Sequence, residues 1–125
     1  MEKLIRQHTI SFKNAFSGLV WAVKTQPNFR VHIALSLSAL VLGSILSITY
    51  LEMIIIVFTI ILGLTCELIN TSIEAMTDLI TSEHRENAKI AKDVAAGMML
   101  TTAIGAVVVA IFIFVPHLLN LTGPF

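Results

Sequence analysis

Charge is scarce in this 125-residue chain: only 13% of its residues are Asp, Glu, Lys or Arg. An ordinary soluble domain carries about 25%. Hydrophobic residues make up 56%, and the mean hydropathy is +0.89. A water-soluble globule of this size needs more polar surface than that. Cysteine is almost absent. Cys66 stands alone, which excludes an internal disulfide framework and reads as a small apolar filler. His8, His32, His84 and His117 are far apart, so no zinc-type cluster is visible. His32 and His84 read as interfacial or solvated. Internal repeats and low-complexity stretches are absent, and the length allows one domain. The eight basic and eight acidic residues cancel, so their positions carry the information.

Two runs hold no Asp, Glu, Lys or Arg at all: Val31 to Leu51 and Val94 to Val115. Each is long enough for a hydrocarbon core that needs about 20 residues. Between them, Met53 to Cys66 is apolar but too short alone. It continues through Leu68, Ile69, Ile73, Met76, Leu79 and Ile80, with polar residues interleaved at helical spacing. These patterns predict an all-α integral membrane protein with spans over about 31–51, 53–80 and 94–115. Residues 1–30 are too polar for a signal-peptide core, so the first span is expected to stay in the mature protein.

The basic residues set an orientation. Lys3, Arg6, Lys13, Lys24 and Arg30 precede the first span, and Arg85, Lys89 and Lys92 lie between the second and third. The short connection Thr49–Glu52 and the tail after Val115 have none. The N-terminus and the 81–92 loop are therefore expected in the cytoplasm, and the C-terminus outside. Before the first span, Phe12, Phe16, Leu19, Val20 and Val23 fall on one helical face. This predicts an amphipathic helix over about 4–25, lying on the cytoplasmic membrane surface or against the bundle ends. Pro27 is expected to end or kink it.

Glu67, Asn70, Glu74 and Asp78 are the most informative residues. Their spacing places them within an arc of roughly 80° on one helix, with Leu68, Ile69, Met76 and Leu79 on the opposite side. An acidic residue near the bilayer centre costs on the order of 2.5–3.5 kcal/mol, so this face cannot point at lipid. Counted from Met53, Glu67 lies about 21 Å along the helix and Glu74 about 32 Å, against a core of roughly 30 Å. The carboxylates thus climb from the lipid region to cytoplasmic water. Lys92 and Asp93 return to the same level at the start of the third span.

Two carboxylates on one face can hold Mg²⁺ together with phosphate oxygens, and a lysine suits a polyphosphate as a point charge. Another carboxylate near a hydroxyl can act as general base. Phosphoryl transfer needs little beyond positioning, metal and positive charge. Walker-type and protein-kinase glycine loops are missing, so a kinase of this sequence must cradle its nucleotide differently. The alternatives from other classes are an ion- or proton-coupled transporter using Glu67 and Glu74, and a non-catalytic assembly subunit. Transport needs access from both faces, whereas the polar groups collect at one. Gly97, Thr101 and Gly105 form a small-residue stripe suited to helix packing.

The stretch Glu67-Leu68-Ile69-Asn70-Thr71-Ser72-Ile73-Glu74-Ala75-Met76-Thr77-Asp78 resembles the signature of the prokaryotic diacylglycerol kinases, a family that includes the undecaprenol kinases. Ala91-Lys92-Asp93-Val94-Ala95-Ala96-Gly97 resembles a second block of that family, and Asn28-Phe29-Arg30-Val31-His32 looks like its undecaprenol-kinase branch. The resemblance covers essentially the whole chain. It implies a homotrimeric membrane kinase using Mg²⁺ and ATP on a lipid alcohol, undecaprenol first and diacylglycerol as the alternative. By the same resemblance, Glu67 is the base that meets the lipid hydroxyl and Glu74 is a metal ligand at the nucleotide. Asn70 is a polar contact of nucleotide and lipid head, Lys92 contacts phosphate, and Asp93 contacts the nucleotide. One position departs from the family pattern. Gln26 stands where members commonly carry a second metal-binding glutamate, so an amide oxygen without charge would serve there.

Overall fold

The computed structural model describes the backbone of residues 2–81 and 85–121, with side chains from Ile10 onward within those ranges. Four helices follow one another: α1 Glu2–Thr25, α2 Pro27–Ile45, α3 Tyr50–Ile80 and α4 Glu86–Leu121. The last three are each long and apolar enough to cross a membrane.

The break between α1 and α2 is one residue wide. Gln26 is extended, with φ −99° and ψ 107°, as the residue before a proline is pushed to be. Its N–H still donates to the Ala22 carbonyl at 2.9 Å. Pro27 takes the first helical position of α2, where a missing N–H leaves no bond unmade. The proline therefore opens the next helix as well as closing the previous one.

The α2–α3 turn lies earlier than the charge-free run suggested. The first span was expected over 31–51 with a connection at Thr49–Glu52, yet α2 ends at Ile45 and α3 begins at Tyr50. Lack of charge reports compatibility with lipid and says nothing of helix continuity. Ser47 turns the chain with a left-handed φ of 52°. The Ser47 N–H donates to Ser44 O at 3.3 Å and the Ile48 N–H to Gly43 O at 3.1 Å, the pair of bonds that closes a Schellman-type helix end. Gly43 lets Ile48 fold back: a β-carbon there would sit 2.9 Å from Ile48 Cδ1. Glu52, read as part of the connection, lies in the first turn of α3. Its carboxylate accepts the Thr49 N–H and hydroxyl, both at 2.7 Å, while the Glu52 N–H donates to Thr49 Oγ1 at 3.3 Å. This capping box satisfies donors at the helix start.

The expected 81–92 loop is also shorter. Glu86 to Lys92 are already helical, because polar residues can form the exposed first turns of a helix whose apolar run starts later. His84 lies outside the described residues. At 1.5 Å per residue, α3 is about 46 Å long and α4 about 54 Å, so both exceed a roughly 30 Å hydrocarbon core.

α3 packs chiefly on α4 and next on α2. A buried apolar cluster of Leu46, Ile56, Ile113 and Phe114 lies near the α2–α3 turn. Cys66 is buried, its Sγ 3.4 Å from Thr102 Oγ1 across the α3–α4 contact, while the Thr102 hydroxyl donates to the Met98 carbonyl at 2.9 Å. Only 11, 17 and 11% of the apolar stretches of α2, α3 and α4 are buried. So much exposed apolar surface suits lipid or further protein, not water. Gly97, Thr101 and Gly105 are exposed, and nothing lies within 4 Å of a β-carbon built on either glycine. That stripe does not pack within this chain.

Candidate active site

Helical spacing on α3 brings three of the expected residues to one wall. Glu67, Asn70 and Glu74 line a cavity of about 290 Å³. α2 contributes Asn28 and His32, and α4 lines it with Ala96, Met99, Leu100 and Ala103. Glu67 is 3% exposed and Asn70 7%, whereas Glu74 is exposed. The wall thus grades from a buried carboxylate to an open one within two helical turns.

Asn70 is held by its neighbour. Its Nδ2 donates to Glu74 Oε1 at 3.2 Å, one turn along. That bond orients the amide and leaves Asn70 Oδ1 buried without a hydrogen-bond partner. Such an acceptor costs about 1–3 kcal/mol when it stays unmatched. His32 and Glu67 line the same cavity from α2 and α3.

Lys92 and Asp93 stand on the first turns of α4 and do not line the cavity. Lys92 Nζ pairs with Asp78 Oδ1 at 2.5 Å, with the two side chains 39% and 67% exposed. An exposed pair of this kind contributes only about 0–1 kcal/mol, so Asp78 holds Lys92 weakly. Asp93 is exposed. Gln26 is also outside the lining. It occupies the N-cap of α2, with Nε2 donating to Thr25 Oγ1 at 3.3 Å.

Asn28 and His32 were not singled out as site residues, and His32 was expected at an interface or in solvent. They are four residues apart, so they share one face of α2. That spacing was the available signal, but only the packing of α2 on α3 turns the face toward Glu67.

Among the described residues, no group of three or more His, Cys, Asp or Glu side chains is placed to hold a metal ion. Magnesium does not require one. It is usually held by one or two carboxylates, with substrate phosphates and water completing its shell. The Glu74 carboxylate and the orphaned Asn70 Oδ1 are hard oxygen donors of the right kind. The donor set therefore fits an ion that arrives with a nucleotide.

Residues 13–114 match the family model of prokaryotic diacylglycerol kinase. The chain belongs to that family. A diacylglycerol kinase of Synechocystis sp. is 37% identical over 113 residues, covering 90% of this chain and 65% of that protein. The undecaprenol kinase of Bacillus subtilis is 38% identical over 109 residues, covering 86% of this chain and 88% of the relative. A diacylglycerol kinase of Helicobacter pylori is 36% identical over 83 residues, 66% of this chain and 65% of that protein. The chain thus spans just under two thirds of the Synechocystis and Helicobacter relatives. Membership of a kinase family favours an enzyme over a transporter or an assembly subunit. Three membrane-capable helices suit a bacterial membrane kinase.

Proposed function

We propose that this family member transfers the γ-phosphoryl group of Mg-ATP to the hydroxyl of a membrane lipid. Undecaprenol is the first acceptor, giving its monophosphate, and diacylglycerol is the alternative, giving phosphatidic acid. The observation that carries the reading is the cavity itself. Glu67, Asn70 and Glu74 share one wall, which grades from a buried carboxylate through an amide to an exposed carboxylate.

Glu67 accepts the proton of the lipid hydroxyl as that oxygen bonds to the γ-phosphorus. The bond from phosphorus to the bridging oxygen breaks, and ADP leaves with the electron pair. Asn70 contacts the lipid head and the nucleotide. Glu74 and Asn70 would hold Mg²⁺, which neutralises phosphate charge when bound, with Gln26 as a further amide ligand. Lys92 releases Asp78 to meet phosphate, and Asp93 contacts the nucleotide.

The preference for undecaprenol rests on the likeness of Asn28–His32 to that branch of the family. Identities of 37% and 38% do not separate the two acceptors. The N-terminus and the α3–α4 connection lie on the cytoplasmic side, by the distribution of Lys and Arg. The exposed stripe of Phe12, Phe16 and Leu19 on α1 supports a helix lying on that surface. The active form is a homotrimer, as in the family, which would give the bare face of α4 a partner. The test is lipid-dependent ATP consumption by the purified protein in detergent, with undecaprenol and diacylglycerol in separate reactions. A phosphorylated lipid is expected. ATP consumption that neither lipid stimulates refutes the reading.

A further inference from the structure

Two cavities meet at His32. Beneath the polar one lies a second, of about 310 Å³, between α2, α3 and α4. His32 and Ala103 border both. The lower cavity exists because small residues stand where the helices face each other: Ala39, Gly63, Ala103, Ala106 and Ala110. It extends to Phe114, in the apolar cluster near the α2–α3 turn.

Its wall holds two hydroxyls besides His32, those of Ser36 and Thr59. Neither has a hydrogen to spare. Ser36 Oγ donates to the His32 carbonyl at 2.7 Å, and Thr59 Oγ1 donates to the Ile55 carbonyl at 2.8 Å. Apart from His32, the lining side chains therefore present no free hydrogen-bond donor to an occupant. Hydrocarbon loses nothing in such a space. An ester carbonyl would exchange water for no partner, which weakens binding by about tenfold or more for each group.

We infer that His32 positions the lipid hydroxyl against Glu67, and that the donor-free cavity beneath it takes the first part of a purely hydrocarbon tail. At roughly 30 Å³ per water-sized unit, the cavity accommodates on the order of ten carbons, or two isoprene units. A single-chain alcohol fits that description. A diacylglycerol brings two chains and two ester carbonyls within a few bonds of its hydroxyl. The inference rests on the proposed kinase reading and names the residue and the space that read the lipid.

Three variants of the full chain test it in one detergent. His32→Leu removes the polar ring at similar bulk, His32→Asn restores an N–H, and Ala106→Phe fills the tail cavity. For His32→Leu the KM for undecaprenol should rise about tenfold, the scale of one lost hydrogen bond, with KM for ATP within about twofold. His32→Asn should recover at least part of that loss. Ala106→Phe should raise the undecaprenol KM, leave the ATP KM unchanged and shrink the preference for undecaprenol over diacylglycerol.

Titration with Mg-ATP reports folding. If both His32 variants lose nucleotide binding, His32 serves the fold and the inference is overturned. It is also overturned if His32→Leu leaves the lipid KM unchanged or raises both KM values equally. An Ala106→Phe protein with an unchanged lipid KM and an altered oligomer size assigns the cavity to a neighbouring copy, and overturns the tail site. These results, with an active wild type, leave the kinase reading standing. A wild type inactive on both lipids overturns both.

Discussion

Replacing Glu67 by glutamine separates proton acceptance from almost every other property of that side chain. Glu67 is 3% exposed and stands on the cavity wall. Glutamine has the same shape, nearly the same helix propensity and no charge to bury. Removing a buried charge without changing volume costs the fold nothing and can stabilise it. The variant should therefore unfold in detergent at the wild-type temperature or slightly above it. Glu74 and Asn70 are untouched, so Mg-ATP should bind within about threefold of wild type.

The chemical step should respond differently. A positioned general base contributes about 10²–10⁴-fold, equivalent to about 2.7–5.4 kcal/mol of barrier at 1.36 kcal/mol per decade. Initial rates of lipid phosphorylation, nucleotide titration and thermal unfolding on one preparation separate the three quantities. A loss of at least a hundredfold in turnover, with binding and stability intact, is the expected pattern. Turnover within threefold of wild type would refute the assignment of Glu67 as base. Loss of nucleotide binding in Glu67→Gln, with Glu74→Gln affecting turnover alone, would show that the two roles are reversed.

Four further outcomes follow from the same geometry. Glu74→Gln removes a ligand charge at the exposed end of the wall but keeps an oxygen that can accept from Asn70 Nδ2, so the apparent Kd for Mg-ATP should rise about tenfold or more; titration at fixed Mg²⁺ checks it. Gln26→Glu should lower the Mg²⁺ concentration for half-maximal activity, and an unchanged requirement places Gln26 outside the metal shell. Ser47→Gly relieves a left-handed residue at the end of α2 and should stabilise the protein by about 0.5–1 kcal/mol, read as a raised unfolding temperature. A reporter fused after Phe125 should be extracytoplasmic and one inserted within 82–87 cytoplasmic; the opposite result refutes the orientation.

The three membrane-capable helices were legible because lipid imposes a length and forbids charge, and both leave a trace in the chain. The turns left a fainter one. Ser47 takes a conformation that usually advertises itself by glycine, so the end of α2 was read some residues too late. The Thr49-x-x-Glu52 pattern was present and carries a mechanism, but it sits inside an apolar context that drew attention to span length instead. At the other end, Glu86 to Lys92 look like loop by charge and are helix by hydrogen bonding. The shared wall of Glu67, Asn70 and Glu74 was legible because a single helix sets it. Asn28 and His32 face the same cavity only because α2 packs on α3. Spacing within one helix cannot report which way that face points once two helices meet.

A lipid kinase must join a hydroxyl that does not leave the membrane to a phosphate that does not enter it. α3 solves part of that problem by length alone, since about 46 Å of helix outruns a core of roughly 30 Å. In the proposed reaction its buried carboxylate would stay where the lipid head is held, while Glu74, about 10 Å further along, would stay where Mg-ATP is soluble. Charge near the nucleotide is kept in reserve in the same way. Lys92 is occupied by Asp78 across α3 and α4, in a pair exposed enough to be weakly held. A polyphosphate concentrates more negative charge than one carboxylate and outcompetes it. Under the proposed function, the lysine would then move to the phosphate and leave Asp78 to water. The cost is small because Asp78 is already two thirds exposed.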